Sequence, residues 1–141
     1  MNKTETIKTA FNMRDPEEQK KFYTDDYQFT DSVGSPPMDL NMWFGMGELM
    51  KAAMPDADYI IEDIREDGDD VLVTGHFTGT FKNDFNLSAL NMGVIPATGK
   101  FITFPSSTSR VSFNGNKISR QQDLSTGPNA GTAGFIATLS A

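Results

Sequence analysis

Apolar and polar residues alternate from Val71 to Phe81, in the run VLVTGHFTGTF. β-Branched and aromatic side chains dominate it and Pro is absent, as a half-buried strand requires. Successive side chains of a strand point to opposite faces. Val71, Val73, Gly75, Phe77, Gly79 and Phe81 therefore share one face, and Leu72, Thr74, His76, Thr78 and Thr80 the other. The second face is mostly polar and carries the single histidine of the chain. Such a stripe is either a solvated face or the lining of a cavity, and the pattern alone leaves both open.

Ahead of this strand the spacing is helical. Ile7, Ala10 and Phe11 predict a short amphipathic helix over residues 2–12. Asp15-Pro16-Glu17-Glu18 reads as an N-cap, a first-turn Pro and first-turn acids, predicting a second helix to about Tyr23. Residues 26–31 alternate as a short strand with Tyr27, Phe29 and Asp31 on one face, followed by the loop Gly34-Ser35-Pro36-Pro37. Residues 39–54 form the longest predicted helix, ended by Pro55. Met38, Met42, Met46, Met50 and Met54 recur every fourth position beside Trp43, Phe44 and Leu49. This stripe is a core face, and part of it lines a ligand cavity if the core is incompletely filled, because Met is a soft, adaptable lining.

Behind that helix the chain reads as strands. Residues 58–65 form one, and Asp67-Gly68 turns it into the central strand. The acidic run over 62–70 is a solvated hairpin tip, since metal binding needs ligands converging from elsewhere. Residues 82–99 are a long connection of the kind that forms a lid or mouth. Phe85, Leu87, Leu90, Met92, Val94 and Ile95 argue against disorder there. Residues 101–113 predict a long strand bent at Pro105, and Asn114-Gly115 turns it into a partner over 117–124. Pro128 is placed to start a terminal helix carrying Phe135, Ile136 and Leu139. The order predicts one α+β domain over residues 1–141, a curved antiparallel sheet with helices on one side.

Composition narrows the chemistry. The chain has 141 residues, no cysteine and a formal net charge of −7. Thiolate metal sites and cysteine nucleophiles are excluded, and one histidine makes a zinc site improbable. The acidic balance argues against nucleic acid and anionic membranes as partners. No stretch has the length of a signal peptide's apolar region or of a membrane span, so the expected setting is the cytoplasm. Phosphate-cradling glycine motifs are absent, and Ser106, Ser107 and Ser109 lie in a strand rather than a nucleophile elbow.

The segment Gly93-Val94-Ile95-Pro96-Ala97-Thr98-Gly99-Lys100, followed by Phe101-Ile102-Thr103-Phe104, resembles the SnoaL-like polyketide cyclases of the nuclear-transport-factor-2-like superfamily. The aromatic strand ending at Asp31, the helix end Ala53-Met54-Pro55-Asp56, Thr78-Gly79-Thr80 and Gly115-Asn116-Lys117-Ile118 agree with it. The resemblance covers roughly residues 20–125. It implies a cone-shaped roll, a strongly curved sheet wrapped around helices and enclosing an apolar pocket. It also implies a homodimer. The superfamily contains cyclases, isomerases, dehydratases, epoxide hydrolases and non-enzymatic modules, so the site has to decide the function.

In the cyclases that this chain resembles, an Asp near the end of the last strand is the general acid/base, and Asp123 stands at the matching position. Alternation puts Ser119, Gln121 and Asp123 on one face. Desolvation raises the pKa of a carboxyl facing an apolar pocket, which suits it to proton exchange near neutrality. The competing reading is a solvated strand end or turn cap. Many members carry an aromatic pair such as His-Trp where Gln121-Gln122 stand here, and a neutral amide relays no proton as imidazole does. His76 is the second catalytic candidate, as carbonyl partner or base, against the role of a hydrogen-bonded surface residue. The expected pocket comprises Tyr27, Phe29, Asp31, Trp43, Met46, Met50, Phe104 and Gln121, although capping of the 34–37 turn is the favoured role of Asp31. The reading is a cofactor-free, metal-free enzyme of cyclase or isomerase type acting on a small hydrophobic carbonyl compound. The alternative is a non-catalytic dimeric binding or assembly module. A weaker third is an epoxide hydrolase joining two carboxyls with an Arg such as Arg110.

Overall fold

A computed structural model describes residues 2–91, 93–126 and 131–140. Met92 and Pro128 lie outside the described residues.

Helix α1 spans Lys3–Asn12, and the Asn2 side chain caps it by accepting from the Glu5 N–H. Ile7 and Ala10 face the core and are fully buried. Helix α2 is a short Pro16–Lys20 turn capped by Asp15. It stops before the expected Tyr23, because strand β1 (Tyr23–Asp31) already begins there. The Ile118 N–H donates to the Phe22 carbonyl, and Tyr23 is paired with Ile118, so sheet pairing claims these residues before the helix can continue. After the two-residue strand β2 (Met38–Asp39), helix α3 runs Leu40–Ala53, with the Asp39 carboxylate capping it through the Met42 N–H.

The remaining strands are β3 (Asp58–Asp67), β4 (Asp70–Thr80), β5 (Phe85–Asn86), β6 (Val94–Ile95), β7 (Phe101–Thr103), β8 (Ser107–Asn114) and β9 (Lys117–Asp123), and helix α4 (Gly131–Ser140) follows. The main sheet has the order β2-β1-β9-β8-β4-β3, with β7 also on β4. The long strand expected over 101–113 is two, β7 and β8, interrupted around Pro105 and both antiparallel to β4. One expectation needs correction. The sheet is mixed rather than wholly antiparallel, because β1 pairs with β9 in parallel. That pairing follows from α3 and the later hairpins intervening between two strands that run the same way.

The sheet wraps one side around the helices. On β4, Val71, Val73, Gly75, Gly79 and Phe81 are buried, as the alternation requires. The polar stripe of Leu72, Thr74, His76 and Thr78 is the outer face of the sheet. There Thr74 bonds Thr108, and His76 pairs across from the exposed Ile60. Two apolar clusters form the interior. One joins Ile7, Ala10, Tyr23, Tyr27 and Phe44 to the start of β4. The other joins Met54, Phe81, Phe85, Leu87, Phe104 and Leu139. The 82–99 connection is thus anchored by Phe85 and Leu87, both about 1% exposed, and holds the small β5–β6 sheet.

Glycine is obligatory at one point on β4. A Cβ at Gly75 would lie 2.7 Å from the Tyr59 ring and clash with the Ile60 carbonyl oxygen. No van der Waals contact allows such approaches, so Gly75 is what lets Tyr59 lie across the inner face. Gly75→Ala should lower unfolding free energy by about 1–3 kcal/mol, the usual cost of overpacking, in urea titration. Wild-type stability in that variant would contradict this close packing.

Candidate active site

Between the two clusters lies a cavity of about 580 Å³, within the range of small-molecule sites. The α3 wall traces to a sequence pattern. From α3 come Trp43, Met46 and Met50. A spacing of four advances about 400° around a helix, so each Met is displaced about 40° from the last. That drift splits the stripe: Met42 is 45% exposed, Met46 and Met50 meet the cavity, and Met54 is buried in the core. Met38 lines the cavity from β2, outside the helix.

Aromatic rings supply most of the remaining wall. Phe29 stacks on Trp43 at 4.4 Å between centroids, and Phe104 stacks on Phe135 of α4 at 4.7 Å. Phe77 and Tyr59 close the β3–β4 side, 4.9 Å apart. Burial raises the Tyr59 hydroxyl, and the negative charges of Asp123 and Glu62 add to this, pushing its pKa up to about 12. Tyr59 is therefore a neutral hydroxyl near Asp123. Burial likewise pushes Tyr23, which also lines the cavity, far up, with the Trp43 indole N–H acting in the opposite sense.

Three polar side chains from strand ends complete the site. Gln121 and Asp123 lie on the inner face of β9, opposite Val111 and Ser109 of β8. Asp31 is the register partner of Asp123 across the parallel β1–β9 pair. The two carboxylates thus sit on neighbouring strands but are held differently. Asp31 Oδ1 accepts from the N–H groups of Val33 (3.0 Å) and Ser35 (3.1 Å), capping the turn that follows. Burial opposes its charge, but the hydrogen bonds from Ser35, Val33 and Gly34 outweigh this and hold its carboxyl below the usual range. Among the described residues, Asp123 Oδ1 accepts from the Ser125 N–H alone, at 2.9 Å, and no Lys or Arg pairs with Asp123. The Ser32 hydroxyl ties the two strand ends together by donating to the Asp123 carbonyl.

The structure gathers Phe29, Asp31, Trp43, Met46, Met50, Phe104, Gln121 and Asp123 around this cavity. It does not bring Tyr27 or His76 to it. Tyr27 is fully buried behind the wall, packed in the first cluster with its hydroxyl 3.3 Å from Gln121 Oε1. His76 is on the outer face, where alternation opposite Phe77 puts it. Its Nδ1 lies 2.8 Å from Glu62 Oε2, which also accepts from the Ser106 hydroxyl. Arg110 is likewise outside, 2.9 Å from Asp67 and 3.4 Å from Asp70 at the hairpin tip, so it does not join the two cavity carboxyls. Tyr23, Tyr59, Phe77 and Phe135 were not expected in the wall. The alternation of Tyr59 with Ile60 held that signal for β3, whereas the α4 contribution depends on tertiary docking.

A sheet curled around helices over an apolar cavity is the nuclear-transport-factor-2-like or cystatin-like architecture. The family model of the SnoaL-like domain matches residues 5–121, and the chain belongs to that family. Among solved structures, a protein assigned as a SnoaL-like polyketide cyclase from Jannaschia sp. CCS1 has TM-score 0.74 at 13% identity, covering 99% of this chain and 92% of that one. IdmH from Streptomyces antibioticus, assigned as a polyketide cyclase, has TM-score 0.69 at 22% identity, covering 88% and 91%. TerC, co-crystallised with polyporic acid, has TM-score 0.65 at 14% identity, covering 99% and 98%. No curated protein matches the chain.

The Asp31 turn generates a pH prediction. Its folded-state pKa is depressed, so its contribution is present above the ordinary carboxylate value and is lost as pH falls through the folded value. The stability gap between the wild type and Asp31→Asn should be constant above about pH 5 and shrink below about pH 4, read by urea unfolding at several pH values. A gap unchanged down to pH 3 would contradict the assignment.

Proposed function

We propose that the protein is an enzyme of cyclase or isomerase type that moves a proton beside a carbonyl of a small hydrophobic compound. Asp123 is the acid/base. The observation that carries this reading is a carboxylate in the wall of an apolar cavity, fixed through one oxygen and free of any cationic partner among the described residues. One oxygen on the Ser125 N–H orients the group and leaves the other for a ligand C–H. The apolar, aromatic surroundings strengthen electrostatic interactions with the charge that develops on the substrate. Proton abstraction by Asp123 from the carbon beside the carbonyl gives an enolate; return of that proton at another carbon completes isomerisation, and attack of the enolate on a second carbonyl, with the Asp123 proton passed to the alkoxide that forms, completes ring closure. Family membership and the cyclase-like neighbours support this class. The co-crystallisation of TerC with polyporic acid supports a small-molecule ligand for a protein of this fold.

Asp31 is a poorer base here, because its turn hydrogen bonds favour the charged form and occupy it. The neutral Gln121 and the outward position of His76 favour a second reading, a module that binds the same ligands without altering them. A homodimer, as the family resemblance implies, is part of the proposal, and a monomeric mass in sedimentation equilibrium would contradict it.

Trp43 is the one tryptophan of the chain and lies in the cavity wall, so its fluorescence reports occupancy. Hydrogen–deuterium exchange of 2-tetralone, a flat ketone with acidic C–H groups, follows the proposed step by NMR. Wild-type protein should accelerate exchange, and Asp123→Asn should lower the rate at least about 100-fold while Trp43 still reports binding. His76→Ala should exchange at the wild-type rate. Binding with no acceleration by the wild type favours the non-catalytic module, and full activity of Asp123→Asn overturns the role of Asp123.

A further inference from the structure

We propose that the Gln121 amide is the group that receives the ligand's carbonyl oxygen, and that it makes the cavity select flat apolar ketones or quinones over hydrocarbons of the same shape. This deepens the reading above and rests on it only in taking the cavity as the binding site.

Gln121 is 7% exposed, and it lines the cavity from the inner face of β9. Its Oε1 lies 3.3 Å from the Tyr27 hydroxyl. Tyr27 is fully buried, and among the described residues its hydroxyl has no other hydrogen-bond partner. An amide side chain has one accepting end and one donating end, and a phenol needs an acceptor for its proton. Turning the amide round would strand that proton in a buried site, a costly arrangement. Tyr27 therefore fixes which end of Gln121 is which. Oε1 is taken by Tyr27, and the Nε2 donor has no partner among the described residues. Tyr27 is thus a positioning residue, and Gln121 is the one that touches the ligand.

The consequence is selective. A hydrocarbon in the cavity leaves a nearly buried N–H group without its water, whereas a carbonyl pairs with it. Sites built around such a donor reject analogues that lack the matching group far better than apolar walls reject a size difference. Gln121 and Asp123 are two residues apart on one face of the strand, a span of about 6.6 Å. That separation suits a carbonyl oxygen at Gln121 and the neighbouring C–H at Asp123. A neutral amide also donates unchanged across the pH range in which an imidazole would titrate.

The probes are 9-fluorenone and fluorene, which share one flat tricyclic shape and differ by the carbonyl. Fluorenone has no removable hydrogen beside its carbonyl, so the readout does not depend on proton transfer. Trp43 fluorescence gives the affinities, and the infrared carbonyl stretch of bound fluorenone reports the hydrogen bond. Wild-type protein should bind fluorenone about tenfold more tightly than fluorene, with the stretch lowered relative to hydrocarbon solvent. Gln121→Leu should lose both the preference and the shift. Because that change orphans the Tyr27 hydroxyl, the double variant Gln121→Leu/Tyr27→Phe, which removes both polar partners, serves as the folded counterpart and should behave the same way. Tyr27→Phe alone frees the amide to turn and should reduce the preference. His76→Ala, on the outer face of the sheet, should keep it. Absence of fluorenone binding or preference in the wild type, survival of the preference in both Gln121 variants, or its loss in His76→Ala would overturn the proposal. Failure of the proton-transfer reading with the preference intact would leave it standing.

Discussion

The parallel pairing of β1 with β9 is the constraint on which the site depends. The two strands are far apart in sequence, and their register puts Phe29 against Gln121 and Asp31 against Asp123. It cuts α2 short, because Phe22 and Tyr23 are already committed to the sheet through Ile118. It also carries a register shift between Tyr23 and Gln28, and the Tyr27 hydroxyl lies against Gln121. Because the loops after both strands begin with carboxylate-capped turns, two similar Asp residues acquire different roles. Asp31 holds a turn with two N–H bonds, and Asp123 keeps an oxygen for the cavity.

The interior is divided rather than continuous, and the division leaves the space. The first cluster packs α1 and α3 against the early part of β4, and the second packs the end of α3, the 82–99 connection and α4 against its far end. Gly75 and Gly79 remove side-chain volume from the inner face of β4 between them, letting Tyr59 and Met54 approach the backbone closely. The gap is bordered by stacked rings, Phe29 on Trp43 and Phe104 on Phe135. Rigid aromatic walls keep their shape when a flat ligand enters, so little ordering of side chains opposes binding.

Much of this was legible in the chain, for physical reasons. The Asp15 helix cap is local, as is the turn chemistry of Gly68 and Gly115, both at positive φ. The two faces of β4 follow from a period of two. What sequence hid was direction. The pattern 71–81 shows two faces but not which one meets the helices, so His76 was equally compatible with the cavity and with the outer surface, where it bonds Glu62. Alternation puts Tyr27 on the inner face with Phe29 and Asp31, but how deep it sits is tertiary: it packs against Tyr23 and Trp43 and ends behind the wall. The fixed spacing of the methionines could not state where a helix of 3.6 residues per turn would rotate each of them, so only Met46 and Met50 of α3 reach the cavity. The parallel β1–β9 pair is a long-range contact that no local signal specifies.

The most direct measurement of the central claim is a crystal structure of the protein soaked with a flat aromatic ketone. The account predicts the rings between Trp43 and Phe104, the carbonyl oxygen within hydrogen-bond distance of Gln121 Nε2 and the Asp123 carboxylate alongside. A ligand seated on the outer face beside His76, or a cavity closed by its own side chains, would contradict it.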